Sequence, residues 1–228
     1  MYPRKERRNI LVPPNFSLKK ARLAQKRIAE MVIEKDEIEF PIRYAVGVDV
    51  AFLEDLSIGA AAVVRYPDLN VVEKETVVVK TVFPYIPTLL AFREVLPAYM
   101  ALRKIKTDYQ LVFVDGNGRL HPYRAGFACH LGVIIKKPTI GIAKKLLVGR
   151  ISEWKDIFAY IYLDDEIIGA ALQTRKGCKP IFVSVGNMIT LQTAIKLTLA
   201  FTKKGLKLPE PIRQAHLAAN EYKRKLAS

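Results

Sequence analysis

The sequence predicts an α/β protein built on one mixed β-sheet that is covered by helices. Three apolar stretches separated by tight turns, at about 44–52, 58–66 and 70–80, indicate an antiparallel meander. Helix-like and strand-like segments then alternate, which is typical of parallel strands joined by helices. We expect a basic N-terminal arm over 1–16 and a single domain over 17–228, because no linker composition interrupts the later pattern.

The predicted helices begin at capping residues or close the chain. Ser17 is an N-cap candidate for a first helix that runs to about Ile33, since apolar residues follow at helical spacing. Thr88 is the N-cap candidate of a second helix, to about Ile105, which Pro97 kinks or interrupts. Further helices are predicted at about 123–135, 190–203 and 209–226.

The strands after the meander are shorter. Apolar runs predict strands or extended edges at about 110–115, 138–143, 158–163, 167–174 and 181–185. The pair Asp164 and Asp165 is most simply a hairpin turn between two of them. The whole order predicts three antiparallel strands followed by parallel strands, flanked by helices.

The charge balance indicates a polyanionic partner. The 228-residue chain has 37 Lys and Arg against 22 Asp and Glu, a formal net charge of +15. Such an excess favours nucleic acid, because each neutralised phosphate releases counterions. The alternative is a Lys-rich surface of the kind found in some heat-adapted proteins.

Several classes of protein are disfavoured by composition. No apolar run approaches the length of a membrane span, and no signal core follows the charged N-terminus. Cys129 and Cys178 are far apart and have no CxxC partner, which indicates a reducing, cytoplasmic setting. Three histidines and two cysteines do not build a zinc cage.

Two carboxylates stand out because each lies in or at the end of an apolar strand. Asp115 ends the run Leu111–Val114 and is followed by two glycines, and Asp49 lies within Tyr44–Phe52. An ionised carboxylate in such a place is costly unless it is paired or bound to a cation. A shared metal ion would satisfy both, whereas hydrogen bonds from backbone amides to each acid are the structural alternative.

An ordered set of motifs resembles the Endonuclease V family, the deoxyinosine repair nucleases with a ribonuclease H-like fold. The resemblance extends from about Leu18 to Lys225. Its motifs are Gly47–Asp49, Pro84–Pro87, Leu89–Glu94, Asp115–Gly118, His121–Pro122, Gly141–Lys144, Pro180–Ser184, Pro209–Arg213 and His216. Each motif alone is weak, and their order makes the set specific.

The resemblance implies a metal-dependent catalytic site. It places Asp49 and Asp115 on Mg²⁺, with Mn²⁺ as a substitute, and puts Glu94 and His216 beside them. Magnesium prefers such oxygen ligands. From the residues alone, the alternative is that Glu94 forms a surface ion pair on its helix.

Two further polar residues belong to the implied catalytic set. His121 would position water or phosphate, and Lys144 would stabilise phosphate charge or orient the attacking water. The structural alternatives are that His121 caps the next helix and that Lys144 extends to solvent at a strand end.

The resemblance also implies a lesion-binding surface. Tyr85, in a proline-stiffened loop, would be the strand-separating wedge. Gly116 and Gly118 would leave room for a flipped hypoxanthine and offer backbone amides to it, and Leu90 and Leu147 would line its pocket. The alternatives are a Tyr packed under its own loop and two leucines of the core.

The chain departs from the family pattern at three places. Thr88 stands where many relatives carry Gly, which bears on the flexibility of the loop. Asn117 stands where Gln is common. Tyr123-Arg124 stands where many relatives place Arg directly after the proline, so a phosphate contact would be shifted or lost.

The implied function is a magnesium-dependent endonuclease that recognises deoxyinosine in DNA. It would nick the same strand at the second phosphodiester bond 3′ to the lesion, as a monomer without membrane association. Inosine-containing RNA stays an open substrate, and an inosine-specific ribonuclease or another ribonuclease H-like nuclease such as a junction resolvase is the main alternative. The remaining alternative is a noncatalytic nucleic-acid-binding protein, which would need the basic surface but not Asp49 and Asp115 together.

Overall fold

The computed structural model describes Pro13 and residues 16–228, so most of the predicted arm over 1–16 lies outside the described residues. The helices are α1 Leu18–Met31, α2 Ala91–Lys104, α3 Phe127–Ile135, α4 Leu191–Ala200 and α5 Glu210–Ala227. The strands are β1 Tyr44–Leu53, β2 Leu56–Arg65, β3 Asn70–Lys80, β4 Leu111–Asp115, β5 Thr139–Ala143, β6 Arg150–Ile151, β7 Phe158–Leu163, β8 Glu166–Leu172 and β9 Ile181–Asn187. The single-domain boundary at residue 17 stays a prediction.

All of these strands join one sheet, in the order β3-β2-β1-β4-β5-β9-β8-β7-β6. The meander β1–β3 is antiparallel, and β1, β4 and β5 run parallel, as predicted. The strands from β9 outward are antiparallel, so the parallel part is confined to the centre of the sheet. The predicted mixed sheet flanked by helices is confirmed.

The helices cover the two faces of the sheet in separate layers. Because side chains alternate along a strand, Val46 and Val48 of β1 pack with α2 and α3, whereas Ala45 packs with α4 and α5. Phe113 of β4 lies on the same face as Ala45 and is fully buried. Both faces of the central strands are therefore apolar up to Asp49 in the middle of β1 and Asp115 at the end of β4.

The start of α2 differs from the prediction. The helix begins at Ala91 with Leu90 as its N-cap residue, and no side chain caps it. Thr88 has φ +66°, in the left-handed region, and its hydroxyl donates to the Pro87 carbonyl at 2.5 Å. The prediction of Thr88 as N-cap is therefore wrong, because the hydroxyl bonds locally before the helix begins. Pro97 lies inside the helix without interrupting it.

Other boundaries differ by a few residues. Helix α3 begins at Phe127 rather than near Tyr123, since the intervening chain forms turns such as the Arg124 N–H to His121 carbonyl bond of 2.9 Å. The short strand β6 was not predicted. Asp164 adopts φ +56° in the turn between β7 and β8, which confirms the predicted hairpin. Within the described part of the chain, no helix has the length and apolarity needed to cross a membrane.

Candidate active site

The register of the central strands brings the two predicted carboxylates together. Gly47 of β1 pairs with Phe113 of β4, and Val48 pairs with Val114. One residue further along, Asp49 within β1 lies beside Asp115 at the carboxyl end of β4, the end of a parallel strand at which open α/β sheets bind ligands. Asp49 is only 9% exposed.

Helix α5 adds a histidine to this pair because it approaches β1 very closely. A Cβ on Gly47 would lie 2.1 Å from the Pro211 carbonyl, so only glycine allows this packing. The approach carries His216, about one and a half turns further along α5, onto the same face as Asp49. His216 Nδ1 lies 2.7 Å from Asp49 Oδ2.

Asp49, Asp115 and His216 can hold a metal ion. One donor atom from each residue lies within 4.8 Å of the others. Two carboxylates and an imidazole suit a hard or borderline divalent cation, and the charge of such an ion would offset the cost of burying the acids. Lys144, directly after β5, lies at the same edge, with its Nζ 2.6 Å from Asp115 Oδ2.

Glu94 reaches this edge from the opposite face of the sheet, on the first turn of α2. Burial raises the pKa of Glu94 well above its ordinary value, and the charges of Asp49 and Asp115 raise it further. Burial and the Asp49 charge also raise the pKa of Asp115, against the opposing effect of Lys144. Three carboxylates thus share this region, where the repulsion between them opposes the attraction of Arg93 and Lys144.

A cavity of about 180 Å³ opens beside the carboxylates. Its walls come from the loop before α2, the start of α2, the loop after β4 and the chain after β5. The lining residues are Tyr85, Thr88, Leu90, Ala91, Glu94, Asp115, Gly116, Asn117, His121, Gly126, Phe127 and Leu147. The structure therefore places Tyr85, Leu90, Gly116 and Leu147 around one cavity, together with Glu94 and Asp115.

Tyr85 is presented to solvent at this cavity. It is 66% exposed, whereas Phe83 of the same loop is buried against Phe16 and Phe92. The alternative of a Tyr packed under its own loop does not fit this exposure. An exposed aromatic ring on a loop anchored by buried neighbours is available for stacking.

The two glycines after Asp115 have separate roles. Gly116 lines the cavity, but its N–H donates to the Ile142 carbonyl at 2.9 Å. Gly118 is buried outside the lining, where its N–H donates to Ser184 Oγ at 2.9 Å. The amides of Gly116 and Gly118, which were expected to donate to the base, therefore already donate within the protein and tie the loop to β5 and β9.

His121 lines the cavity rather than joining the carboxylates and His216. Tyr123 N–H donates to His121 Nδ1 at 3.2 Å, and burial lowers the pKa of His121 to about 4. The imidazole is therefore neutral near pH 7 and supplies no cation to a phosphate. Lys144, by contrast, lies beside Asp115 as a charged side chain.

Two residues of the site region were not singled out from the sequence. Gln25 of α1 is 0% exposed, and its Nε2 donates to the Thr88 carbonyl at 2.6 Å. Arg22 lies with its guanidinium 4.3 Å from the centre of the Tyr123 ring. The sequence signal for Gln25 was its position one helical turn after the buried Ala21, on the same face of the helix.

The departures from the family pattern also have structural consequences. Arg124 Nε donates to Glu166 Oε2 at 2.7 Å, so this guanidinium is committed to an ion pair with β8. The Oδ1 atom of Asn117 is buried and has no hydrogen-bond partner among the described residues, and Asn117 lines the cavity. An unpartnered buried acceptor is costly and marks a place where a ligand donor would bind.

Comparisons with known proteins agree with this geometry. The family model described as Endonuclease V matches residues 26–217. Endonuclease V of Thermofilum pendens is 53% identical over 213 residues, covering 93% of this chain and 92% of that protein.

Solved structures give the same result. The crystal structure of Endonuclease V from Streptomyces avermitilis has a TM-score of 0.85 at 33% identity, covering 96% of this chain and 100% of that one. A second structure is Ciona intestinalis Endonuclease V in complex with a 24mer DNA containing an inosine followed by a ribo-adenosine. It has a TM-score of 0.82 at 28% identity, covering 92% of this chain and 98% of that one. The chain belongs to the Endonuclease V family and is a nuclease that hydrolyses phosphodiester bonds.

Proposed function

We propose that the protein recognises deoxyinosine in DNA and, with Mg²⁺ bound, nicks the same strand at the second phosphodiester bond 3′ to the lesion. The observation that carries this proposal is the position of the metal-binding group beside a base-sized cavity. Donor atoms of Asp49, Asp115 and His216 lie within 4.8 Å of one another, and Asp115 also lines the cavity. An extruded base held in the cavity would leave a neighbouring phosphate near the carboxylates.

The hydrogen-bonding groups of the cavity suit hypoxanthine. Among the described residues, Asn117 Oδ1 is an acceptor without a hydrogen-bond partner, and the Ala91 N–H at the start of α2 makes no backbone hydrogen bond, whereas the N–H groups of Phe92 and Arg93 already donate to Leu89 and Leu90. Hypoxanthine offers an N1–H donor beside its O6 acceptor. Adenine offers the opposite pattern, an amine donor at C6 beside an acceptor nitrogen, so it would leave these groups unsatisfied.

The residues around the reacting phosphate have distinct roles in this proposal. Asp49, Asp115 and His216 would hold Mg²⁺, with Mn²⁺ as a substitute, and Glu94 would add a carboxylate near them. A bound divalent ion supplies an activated water and stabilises charge on the phosphate. Lys144 orients Asp115 through its 2.6 Å contact and adds positive charge at the same edge.

The strand must open before the base enters the cavity. Tyr85 is the proposed wedge, since its exposed ring can stack on the bases beside the extruded nucleotide. His121 stays neutral and shapes the cavity wall, and Leu90 and Leu147 give apolar contacts to the base. The formal net charge of +15 favours attraction to the DNA backbone.

The direct test removes the two central carboxylates. Asp49→Ala and Asp115→Ala should each lower Mg²⁺-dependent cleavage of inosine-containing duplex by at least about a thousandfold, because metal-held charge contributes several kcal/mol. Binding of the duplex and the melting temperature should be preserved, and Asp108→Ala is the exposed control. Near-normal turnover by either variant in saturating Mg²⁺ would refute the assignment. Inosine-containing RNA is the comparison substrate, and the proposal expects DNA to be cut.

A further inference from the structure

Helix α1 presents a basic surface next to the cavity. Lys19, Lys20, Lys26 and Arg27 are exposed on it, and the first acidic residue of the helix is Glu30. None of these four cations pairs with a carboxylate within residues 16–228. Cations concentrated over the turns of a helix that precede its first acidic residue, here Glu30, produce a local positive potential.

Two contacts fix how α1 is oriented toward the cavity. The buried Gln25 donates to the Thr88 carbonyl at 2.6 Å, and Arg22 Nη1 donates to Gln25 Oε1 at 2.8 Å. The Arg22 guanidinium also lies 4.3 Å from the centre of the Tyr123 ring. The edge of α1 that carries Arg22 therefore faces the loop of Thr88, which is part of the cavity wall.

The spacing of the cations places two lysines along the same edge. Lys19, Arg22 and Lys26 occupy positions i, i+3 and i+7, which lie in one row along a helix. Arg22 is held against the loop and the Tyr123 ring, while Lys19 and Lys26 are exposed one turn to either side of it. The row thus extends over roughly 10 Å beside the cavity, at 1.5 Å per residue.

We propose that this row binds phosphates of the strand that delivers its base to the cavity. A strand entering the cavity must pass its wall, and its phosphates are the polyanion that three aligned cations attract. The proposal rests on the function proposed above and names a surface for it. The bond from Gln25 keeps the row at a constant distance from the cavity wall, so phosphate and base are held in fixed relation.

The experiment compares two double variants of equal charge. Lys19→Ala/Lys26→Ala removes the ends of the row, and Arg103→Ala/Lys106→Ala removes two exposed cations at the far end of α2. Binding to undamaged and inosine-containing duplexes is measured across a range of salt concentrations. The row variant should bind both duplexes more weakly. The plot of log affinity against log salt concentration should become less steep by about 1.8, which is about 0.9 for each of two lost phosphate contacts.

The contact is then mapped by replacing single phosphates near the inosine with neutral methylphosphonates. The wild-type protein should lose affinity when the replaced phosphate is at one or two positions close to the lesion. The same replacements should cause no further loss of affinity in the row variant. An unchanged salt slope, or a slope reduced equally by the control variant, would overturn the proposal while cleavage at inosine still stood. Absence of inosine-directed cleavage by the wild type would instead overturn the proposed function.

Discussion

At the scale of single residues, the candidate site combines negative charges that repel one another when no cation is bound. Glu94 and Asp115 both have raised pKa values, caused first by burial and then by neighbouring carboxylates. Asp49 is only 9% exposed and receives a hydrogen bond from the Val50 amide at 2.8 Å. Such repulsion destabilises the fold and favours the binding of a cation.

Glu94→Gln should therefore stabilise the protein and impair its reaction. Without divalent ions near pH 7, the free energy of unfolding should rise by about 1–2 kcal/mol, since the amide avoids the cost that burial and the neighbouring carboxylates impose on the Glu94 carboxyl group. Mg²⁺-dependent cleavage should fall by about 10- to 100-fold. Denaturant unfolding and single-turnover cleavage measure the two effects.

The exposed Glu153→Gln is the matched control and should change neither quantity. The gain from Glu94→Gln should disappear as the pH falls below about 4.5, because Glu94 is then protonated in both the folded and unfolded chains. A variant that is destabilised at pH 7 would show that Glu94 makes a favourable ion pair instead.

A residue of the site can be predicted from the sequence when its apolar neighbours show that it will be buried at a cost in free energy. Asp49 and Asp115 stand among β-branched and aromatic neighbours, so an unpaired carboxylate there already indicated a ligand. Gln25 gave a weaker signal, since its partner is a backbone carbonyl 63 residues away. The engagement of the Gly116 and Gly118 amides depends on β5 and β9, whose register the local sequence does not reveal.

At the scale of elements, the loop before α2 is the most specialised segment. Thr88 adopts φ +66° without being glycine, which is strained for a β-branched residue. Its carbonyl accepts a hydrogen bond from Gln25, so α1 holds the conformation in place. The local sequence Pro87-Thr88 favoured a helix cap, and this tertiary bond explains why the helix starts two residues later, with Leu90 as its N-cap residue.

Tyr85→Ala should weaken recognition of the lesion more than general DNA binding. Base–aromatic stacking is worth roughly 1–3 kcal/mol, so discrimination between inosine-containing and undamaged duplex should fall about ten- to a hundredfold. The salt dependence of binding should barely change, because no cation is removed. Fluorescence binding assays with both duplexes measure the ratio.

Tyr85→Phe keeps the ring and should retain most of the discrimination. Single-stranded inosine substrates should suffer less from Tyr85→Ala, since they need no strand separation. If Tyr85→Ala lowered the melting temperature strongly and left discrimination intact, the ring would be a packing group and the wedge assignment would be wrong.

At the scale of the whole molecule, the sheet converts distant sequence segments into one site. Asp49, Asp115 and His216 come together because β4 ends beside Asp49 of the parallel strand β1 and α5 packs against β1. The meander and the central strands could be predicted from hydrophobic patterns. The antiparallel addition of β9 could not, because strand direction depends on the path of the connection rather than on the strand's residues.

Two buried histidines should make the whole fold sensitive to acid. Burial lowers the pKa of His121 and of His130 to about 4 in each case, against 6.5 as the ordinary value. The unfolded chain binds these protons first, so stability is lost as the pH falls from about 6.5 toward 4. Each histidine can contribute up to about 3 kcal/mol to that loss.

His130→Phe tests this effect away from the carboxylates. His130 Nε2 has no hydrogen-bond partner within residues 16–228, and its ring makes an edge contact with Phe92 that a Phe can retain. Between pH 6.5 and 4, the wild-type protein should lose about 3 kcal/mol more of its unfolding free energy than the variant does. A constant difference across that range would mean that His130 is accessible to protons in the folded protein.

The most direct measurement of the central claim maps the cut in a duplex whose single inosine is moved along the strand. With Mg²⁺ present, the account predicts one nick in the inosine-containing strand, at the second phosphodiester bond 3′ to the lesion, that moves with it. In the proposed function, a base held in the cavity and a phosphate at the carboxylates would set this offset. Cuts that ignore the position of the inosine, release of free hypoxanthine, or equal cutting without a divalent ion would contradict the account.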